Sequence, residues 1–366
     1  MLNLILDCRM IDFSGIGTYL QNLIPYLNKE INLIFLGDKE KIKKYVANES
    51  IEVITVKSSI YSPFEQIELP WKIRKCDIFW SPHFNVPVLP IKAKRRLVTI
   101  HDVFHLAFSG IYNYFERNYA KFLVNSAVRL SDRVITVSNF SKQEIIKYTG
   151  VKREKITVIY NGVDTNIFKK YDKKDLKNII FRYNLPEKFI LYVGNVKPHK
   201  NLKNTLLAFK IVKEEIDDLS LVIVGKKEGF IKEDIEVFNL LSKDNDLQER
   251  VVFTGYVEKF DIPKIYNLAS ILVFPSIYEG FGLPPLEAMA CGCPVVASDI
   301  PVIREICEDA VYYVNPYNPM EIAKGIISVF QDRNLRERLI EKGWRRVNKF
   351  TWEESAKKHL EVILEI

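Results

Sequence analysis

The chain has 366 residues, 48% of them hydrophobic, and a formal net charge of +7. This length can bury the cores of two domains, and no stretch approaches the roughly 18–20 apolar residues that a membrane-spanning helix requires. The five cysteines have no paired spacing. We therefore expect small buried thiols of a reducing compartment rather than disulfides or zinc ligands.

The N-terminus, Met1 to Asp7, is apolar and reaches an acidic residue without a preceding basic region. It predicts a first buried strand rather than a secretion signal, and hence a cytoplasmic protein. Gly15-Ile-Gly17 follows, before a helix expected to begin near Thr18. A Gly-x-Gly alone indicates dinucleotide binding only weakly, because the third glycine of the Rossmann fingerprint is absent.

Short apolar runs of strand type alternate with helical patterns along the whole chain. They lie at 4–6, 33–35, 53–56, 78–80, 97–100 and 134–137 in the first half, and at 189–193, 221–224, 251–253, 271–274 and 295–297 in the second. This alternation predicts an α/β protein with two doubly wound parallel sheets. The cleft between two such domains is the expected ligand site.

Domain boundaries are predicted from the polar segment 169–177, which lacks a strand pattern. The predicted domains are 1–168 and 169–345, followed by a last segment, 346–366. In that segment Thr351 is placed to cap an amphipathic helix, with Glu354 as the capping-box acid three residues later.

Positive charge is concentrated in the first half of the chain. Residues 1–170 carry 25 Lys and Arg against 16 Asp and Glu, whereas residues 171–366 carry 28 against 30. The basic run Lys92 to Arg96 and the aromatic segment Phe104 to Phe122 suit an anionic lipid surface or a nucleic acid. Equally, the aromatic residues can be core and the lysines a solvated face, so these alternatives stay open.

The most informative segment begins where the run 271–274 ends at Pro275. Glu279 and Glu287 lie eight residues apart in it, on either side of a Gly-Phe-Gly turn and a Pro-Pro pair. Proline suits the first turn of a helix, so a loop followed by a helix is predicted at the carboxyl edge of a sheet, where open α/β sheets bind ligands.

This loop offers an anion site. The backbone amides of Gly280 and Gly282 lie beside the expected helix N-terminus, with Phe281 and Leu283 in the same stretch. A tight structural turn would explain the glycines equally well. However, two carboxylates around an anion site favour a ligand that also carries hydroxyl groups, such as a sugar nucleotide, because carboxylates accept strong hydrogen bonds from diols.

The same residues resemble the retaining glycosyltransferases of family 4, which have the GT-B architecture. The resemblance rests on Glu279 and Glu287, followed by the small-residue stretch 288–293 and then Pro294-Val295, and it extends over nearly the whole chain. It implies two Rossmann-like domains that face each other across a cleft, and a C-terminal helix that crosses back onto the N-terminal domain. It also implies that Glu279 lies by the transferred sugar and that Glu287 binds the ribose hydroxyls.

Lys200, just beyond the strand 189–193, can neutralise the charge on a leaving diphosphate as a compact cation. The family usually has a second cation, an arginine, where this chain has Asn195. The resemblance further places His101, at the end of the strand 97–100, against the transferred sugar.

The remaining binding residues are predicted at loops that follow strands. We assign Asn195, Gly225, Tyr256 and Val257 to the donor, together with the segment from Gly280 to Leu283 and the loop glycines Gly15 and Gly17. Asp12 and Asp102 are assigned to the acceptor.

No cofactor or metal is predicted. The only Asp-x-Asp, Asp244-Asn-Asp246, lies in a polar run between a helix and a strand, and is interpreted as a loop without a metal. The substrates expected from the resemblance are a GDP-, UDP- or dTDP-hexose donor and a carbohydrate or polyprenyl-linked glycan acceptor.

The predicted activity is hexosyl transfer, with mannose as the candidate sugar, in the assembly of surface polysaccharide such as lipopolysaccharide. The anomeric configuration is expected to be retained, with the leaving phosphate taking the acceptor proton. A nucleotide-sugar epimerase on the same fold is one alternative, and a nucleotide- or nucleic-acid-binding protein without enzymatic activity is another. Under the main hypothesis no nucleic acid is bound, and the protein contacts the inner face of the cell membrane peripherally.

Overall fold

A computed structural model of the chain describes residues 2–46, 51–108, 114–194, 197–225 and 235–366. The chain forms two compact units. Unit 1 comprises Met1–Gly162 together with Phe350–Ile366, and unit 2 comprises Val163–Lys349. The sequence-based boundaries, after residues 168 and 345, lie six residues later and four residues earlier than these.

Unit 1 contains a parallel sheet whose seven described strands have the order β3-β2-β1-β4-β5-β6-β7. The strands are β1 Asn3–Asp7, β2 Asn32–Gly37, β3 Glu52–Thr55, β4 Cys76–Ser81, β5 Ala93–Thr99, β6 Arg133–Thr136 and β7 Ile156–Val158. The helices before the unit boundary are α1 Ile16–Leu27, α2 Lys39–Lys43, α3 Glu65–Lys72, α4 Phe104–Ala107, α5 Tyr114–Leu130 and α6 Asn139–Thr149, with a 3₁₀ turn at Arg153–Lys155.

Unit 2 contains a parallel sheet whose six described strands have the order β10-β9-β8-β11-β12-β13. The strands are β8 Phe189–Val193, β9 Ser220–Val224, β10 Val251–Phe253, β11 Ile271–Phe274, β12 Val295–Ser298 and β13 Tyr312–Val314. The helices are α7 Lys173–Tyr183, α8 Leu202–Glu215, α9 Ile235–Ser242, α10 Asn245–Arg250, α11 Ile262–Leu268, α12 Leu283–Ala290, α13 Pro301–Cys307, α14 Pro319–Gln331 and α15 Arg333–Val347, with a 3₁₀ turn at Pro198–Lys200.

The predicted α/β class with two doubly wound parallel sheets is confirmed. Every apolar run identified in the sequence is a strand, because parallel strands covered by helices on both faces are apolar along most of their length. β7 and β13, each of three residues at the end of its sheet, were not predicted. The segment 169–177, predicted to be a polar linker, contains the start of α7 at Lys173.

The last helix, α16 Trp352–Glu365, belongs to unit 1, as expected. Thr351 caps it by accepting a hydrogen bond from the Glu354 amide at 3.2 Å. Gly162 lies so close to this helix start that a Cβ there would be 2.2 Å from the Trp352 nitrogen. A side chain at position 162 would therefore displace the helix.

A buried hydrogen-bond chain joins α16 to α1. His359 donates from Nδ1 to the Ser355 carbonyl at 2.7 Å, so its Nε2 accepts from the Tyr19 hydroxyl at 2.5 Å. Burial lowers the pKa of His359 to about 4. The imidazole is therefore neutral in the folded protein, and its two nitrogens have fixed roles.

Candidate functional site

The candidate donor site lies at the carboxyl edge of the unit 2 sheet, between β8 and β11. These strands are neighbours, and the strand order reverses between them, since β9 follows β8 on one side and β12 follows β11 on the other. Loops leaving adjacent strands at such a reversal diverge and leave a crevice for a ligand. The predicted residues Lys200 and Glu279 lie in these two loops.

Lys200 and Glu279 form an ion pair, with 2.6 Å between Nζ and Oε1. The lysine side chain is 19% exposed and the glutamate side chain 10%. Two residues that the sequence analysis selected separately, 79 positions apart, are thus in direct contact. The pair is partly screened from water yet accessible, so a negatively charged ligand could compete with Glu279 for the ammonium group.

Hydrogen bonds to backbone carbonyl groups fix the position of Lys200. The Tyr192 hydroxyl donates to the Lys200 carbonyl at 3.1 Å, and the Ile277 amide donates to the His199 carbonyl at 2.7 Å. Because Ile277 lies in the Glu279 loop, the second bond ties the two loops together. The ion pair is therefore held by its backbone as well as by its charges.

Asn201 is a site residue that the sequence analysis did not identify. It has left-handed backbone geometry (φ +63°), and its side-chain amide donates to the Pro275 carbonyl at 2.9 Å and to the Pro316 carbonyl at 2.7 Å. Asparagine is among the few residues that tolerate this geometry. It thus ends the turn that carries Lys200 and attaches the turn to the loop after β11.

The predicted turn before α12 is confirmed. Gly282 has φ +96°, a backbone conformation that favours glycine, and a Cβ there would be 2.8 Å from Ile303 Cδ1, so the end of that side chain would have to move. Leu283 and Pro284 form the first turn of the helix. Phe281 is buried, so its side chain belongs to the core and only its backbone can face a ligand. The helix N-terminus supplies the positive end of its dipole.

Glu287 lies inside α12, with its carboxylate accepting a hydrogen bond from the Tyr266 hydroxyl at 3.1 Å. Burial raises the pKa of Glu287 to about 7, against the opposing effects of that hydrogen bond and of Lys259. The group is therefore partly protonated at neutral pH. A ligand that donates hydrogen bonds to the carboxylate would favour its ionised form.

The residues predicted near the nucleotide base differ in their exposure. Gly225 and Gly255 form an isolated bridge beyond β9 and β10, and the next residue, Tyr256, is 70% exposed. Val257 is buried, so its side chain packs in the core and cannot contact a base. Asn195 lies outside the residues that the structure describes.

In unit 1 the glycine loop before α1 has the predicted location, although the helix begins at Ile16 rather than near Thr18. Gly15 caps it with φ +75°, and a Cβ on Gly17 would be 2.5 Å from the Ile11 carbonyl oxygen. Both glycines are therefore required by the backbone itself. Asp12 forms an exposed ion pair with Lys41 at 3.2 Å.

His101 follows β5, at the carboxyl edge of the unit 1 sheet. Its Nε2 donates to the Pro82 carbonyl at 3.0 Å, and its ring packs edge-on against Tyr19, 4.9 Å between centroids. Burial lowers the pKa of His101, which favours a neutral ring whose Nδ1 is an acceptor. Asp102 accepts from the Phe104 amide at 2.9 Å, a local contact that shapes the turn before α4.

The Asp-x-Asp sequence has a structural role. Asp244 caps α10 and pairs with Lys210 at 2.8 Å, while Asp246 lies within that helix and pairs with Lys213. The loop predicted for this segment is therefore the start of a helix. Within the described ranges, no three or more His, Cys, Asp or Glu side chains cluster in a way that could hold a metal ion.

Two family models match the chain. The model described as Glycosyltransferase Family 4 matches residues 13–167, and the model described as Glycosyl transferases group 1 matches residues 173–346. The first covers most of unit 1 except residues 1–12 and 350–366, and the second covers nearly all of unit 2. The chain therefore belongs to the family 4 glycosyltransferases, as the sequence resemblance predicted.

Curated relatives give the comparison more detail. The chain is 31% identical to the O-antigen chain mannosyltransferase RfbU of Salmonella typhimurium over 257 residues. The aligned stretch covers 70% of this chain and 66% of the relative. It is 28% identical over 286 residues to O-antigen chain mannosyltransferase B of Escherichia coli, 77% of this chain and 73% of the relative. The chain thus spans about two thirds to three quarters of these relatives.

Solved structures show the same fold. The HepE protein of Anabaena, solved in complex with UDP and glucose, superposes with a TM-score of 0.79 at 18% identity over the full length of both chains. This likeness establishes the GT-B fold. In the part of the chain that the structure describes, no helix is both long enough and apolar enough to cross a bilayer.

Proposed function

We propose that this glycosyltransferase moves a mannosyl group from a nucleotide-sugar donor to a glycan acceptor, with retention of the anomeric configuration. The observation that carries the proposal is the Lys200–Glu279 ion pair at the strand-order reversal of unit 2. Mannose is supported by the names of the two curated relatives. A nucleotide-sugar donor is supported by the UDP in the HepE complex.

Unit 2 is proposed to bind the donor. The diphosphate would lie at the N-terminus of α12, where the Gly282 turn allows close approach, and Glu287 would accept hydrogen bonds from the ribose. The donor phosphates would then attract the Lys200 ammonium group away from Glu279. The released Glu279 carboxylate would accept hydrogen bonds from the sugar hydroxyls.

The proposed reaction breaks the bond between the anomeric carbon and the phosphate oxygen. Negative charge grows on the departing diphosphate, where Lys200 and the helix amides stabilise it. The acceptor oxygen forms its bond to the anomeric carbon on the same face, and its proton passes to a leaving phosphate oxygen. Charge on the phosphates is neutralised by side chains of the protein, so we expect no requirement for a divalent metal.

Unit 1 is proposed to bind the acceptor. His101 keeps its proposed role toward the transferred sugar, with Nδ1 available to accept a hydrogen bond from a sugar hydroxyl. Asp12 and Asp102 remain proposed acceptor residues. Each already has a partner, Lys41 for Asp12 and the Phe104 amide for Asp102, which an acceptor would have to share or displace.

A polyprenyl-linked acceptor would require contact with a membrane. In the predicted aromatic segment, Tyr114, Phe115 and Phe122 on α5 are exposed, close to Arg117 and Lys121. Phe104 is buried instead, and Tyr112 lies outside the described residues. A second exposed apolar face, Phe64, Ile67 and Trp71, was not predicted; it starts just before α3 and continues along that helix. Aromatic side chains beside cations suit the surface of an anionic bilayer.

The membrane proposal is tested by sedimentation with vesicles of phosphatidylcholine containing 30% phosphatidylglycerol. The double variant Phe115→Ser, Trp71→Ser should bind less to the vesicles than the wild type does. Added salt should weaken the vesicle binding of both proteins. Equal binding of the variant and the wild type would remove both aromatic faces from the proposal.

The transfer proposal is tested by incubating the protein with GDP-mannose, UDP-glucose or dTDP-rhamnose and a set of methyl glycosides. A glycosylated product with GDP-mannose, formed in the presence of EDTA, is the expected result. Donor conversion to an epimer without any acceptor would instead favour the epimerase alternative.

A further inference from the structure

A small cavity lies at the carboxyl edge of the unit 1 sheet, between β1 and β4. These are the strands at which the order reverses, with β2 beside β1 and β5 beside β4. The lining includes Asp7 and Arg9 at the end of β1, and His83 and Asn85 after β4. The cavity has a volume of about 10 Å³, which is room for one oxygen atom of a ligand or a single water.

Two of the lining residues, Asp7 and Arg9, form a buried ion cluster with Glu65. Arg9 binds Asp7 through Nη2, 2.7 Å from Oδ2, and Glu65 through Nη1, 2.5 Å from Oε2. The three side chains are 6%, 9% and 0% exposed. Because one guanidinium already serves two carboxylates, the cluster would repel an anionic ligand. A neutral hydrogen-bonding group is the kind of ligand that fits.

Asn85 connects this cluster to the cavity. Its Nδ2 donates to Glu65 Oε1 at 2.8 Å. A carboxylate can only accept, so the amide nitrogen must face Glu65 and the amide oxygen must face elsewhere. Asn85 is 3% exposed, and among the described residues its Oδ1 has no hydrogen-bond partner. A buried acceptor without a donor is costly, and the ion cluster prevents the amide from rotating to remove the cost.

The surrounding residues are also fixed by hydrogen bonds. The backbone amide of Asn85 donates to His83 Nδ1 at 3.3 Å, so His83 carries its proton on Nε2. That nitrogen lies 3.1 Å from the Tyr61 hydroxyl. Tyr61 has left-handed backbone geometry (φ +66°), which a tyrosine rarely adopts. Local strain of this kind is typical of binding sites.

We propose that this cavity receives one hydroxyl group of the acceptor carbohydrate, which donates its hydrogen to Asn85 Oδ1. Asn85 is then a specificity-determining residue, because an acceptor without that hydroxyl leaves the buried oxygen unsatisfied. The inference rests on the proposed function, in which unit 1 binds the acceptor. It identifies the part of unit 1 that recognises one hydroxyl group of the acceptor.

The first experiment measures binding of the methyl glycosides of mannose, glucose, galactose and rhamnose to the wild-type protein by NMR. The monodeoxy derivatives of the best ligand are then compared. One derivative should bind at least about tenfold more weakly than its parent. In Asn85→Ala the parent and that derivative should bind equally, while the other derivatives keep their wild-type ratios. Failure of all four glycosides to bind, or an unchanged ratio in Asn85→Ala, would overturn the inference.

Asn161→Ala is the matched control. Asn161 is similarly buried, its Oδ1 also lacks a partner among the described residues, and it does not line the cavity. This variant should retain the wild-type preference between the parent and the deoxy derivative, whatever its effect on stability. A loss of discrimination in both variants would show a general structural effect and contradict a specific role for Asn85.

A second readout needs no variant. The side-chain NH₂ signals of Asn85 in wild-type protein should shift on adding the parent glycoside and not on adding the weak derivative. If Asn85→Ala does not fold, this measurement decides, and an unshifted signal with every glycoside overturns the inference. If the inference alone is wrong, the wild type still transfers sugar from GDP-mannose; if the proposed function is wrong, it does not.

Discussion

The two sheets each have an ion pair at the edge where their strand order reverses, and the two arrangements differ in exposure. In unit 2, Lys200 and Glu279 form a simple pair that water reaches partly. In unit 1, Arg9 is enclosed between Asp7 and Glu65, and Glu65 has no exposed surface. The first arrangement can exchange one partner for a ligand, whereas the second maintains the shape of a cavity.

The titratable groups with shifted pKa values also differ between the units. Unit 1 contains His101 and His359, whose pKa values are lowered by burial, to about 4 for His359. Unit 2 contains Glu287, whose pKa burial raises to about 7. Unit 1 should therefore lose stability in acid. Unit 2 should lose stability as the pH rises toward 7.

The largest effect is expected from Arg9→Met, which leaves Asp7 and Glu65 buried without a cation. Breaking a buried ion pair from one side typically costs about 3–5 kcal/mol of unfolding free energy. Hydrogen exchange followed by mass spectrometry should show the loss in unit 1. The triple variant Arg9→Met, Asp7→Asn, Glu65→Gln should recover much of it. A stable Arg9→Met protein would contradict the structural role assigned to the cluster.

Lys200→Ala is expected to reduce turnover by about 10²–10³, the size of effect seen when one preorganised donor is removed from a transition state. Stability should fall as well, because the Glu279 side chain, which is 10% exposed, is left without its cation. Steady-state kinetics should show the loss in kcat more than in donor binding. Restoring the family's usual cation with Asn195→Arg should recover part of it.

The control for Lys200→Ala is Lys203→Ala, which removes a cation that is nearby in the sequence and pairs with Glu236. Its kcat should stay close to the wild-type value. Turnover of Lys200→Ala within about threefold of the wild type would mean that the backbone amides and the helix dipole are sufficient. The role of Lys200 would then be withdrawn.

His359→Gln tests the acid sensitivity of unit 1. The folded pKa of about 4 lies below the ordinary value of 6.5, so stability present above pH 6.5 is lost as the pH falls toward 4. The loss should reach up to about 3 kcal/mol in the wild type. Gln can still accept from Tyr19 but does not titrate, so the variant should show a flatter profile. Identical profiles between pH 4 and 6.5 would exclude His359 as the source.

The smallest of the four expected effects is that of Glu287→Gln. The pH dependence of stability due to Glu287 is opposite in sign to that due to His359. The folded pKa of about 7 exceeds the ordinary 4.5, so the wild type should lose stability as the pH rises through 7. The variant should be more stable than the wild type at pH 8, by about 1–2 kcal/mol, yet bind nucleoside diphosphates more weakly. Unchanged nucleotide affinity would remove Glu287 from the donor site.

Much of the fold could be predicted because parallel strands buried on both faces are continuous apolar runs. The two strands that were missed are short and lie at sheet edges: Ile156–Val158 contains a threonine, and Tyr312–Val314 contains two half-buried tyrosines. An edge strand has a neighbour on one side only, so its sequence is less strongly apolar.

Part of the candidate donor site could be predicted, because its charged residues lie in loops that directly follow strands. Lys200 and Glu279 each follow a strand of the same sheet, so their proximity agrees with the rule for sheet edges. The hydrogen bonds from the Asn201 side chain depend on its left-handed backbone and on carbonyl groups 74 and 115 positions away. Such contacts leave no local pattern in the sequence.

The Arg9 cluster was not predicted for a similar reason. Arg9 and Glu65 are 56 positions apart, and Glu65 and Asn85 are 20 apart. Charged residues at such positions normally indicate solvent-exposed turns and helix faces. One available signal was Asp7 and Arg9 together at the end of the first buried strand, an edge where ligands bind.

The most direct test of the central claim is the anomeric configuration of the product that forms from GDP-mannose in the presence of EDTA. GDP-mannose carries an α-linked sugar, so retention predicts an α-mannoside, detectable by NMR of the reaction mixture. The Lys200→Ala variant should form the same α product more slowly. A β-mannoside, or activity that EDTA abolishes and Mn²⁺ restores, would contradict the account.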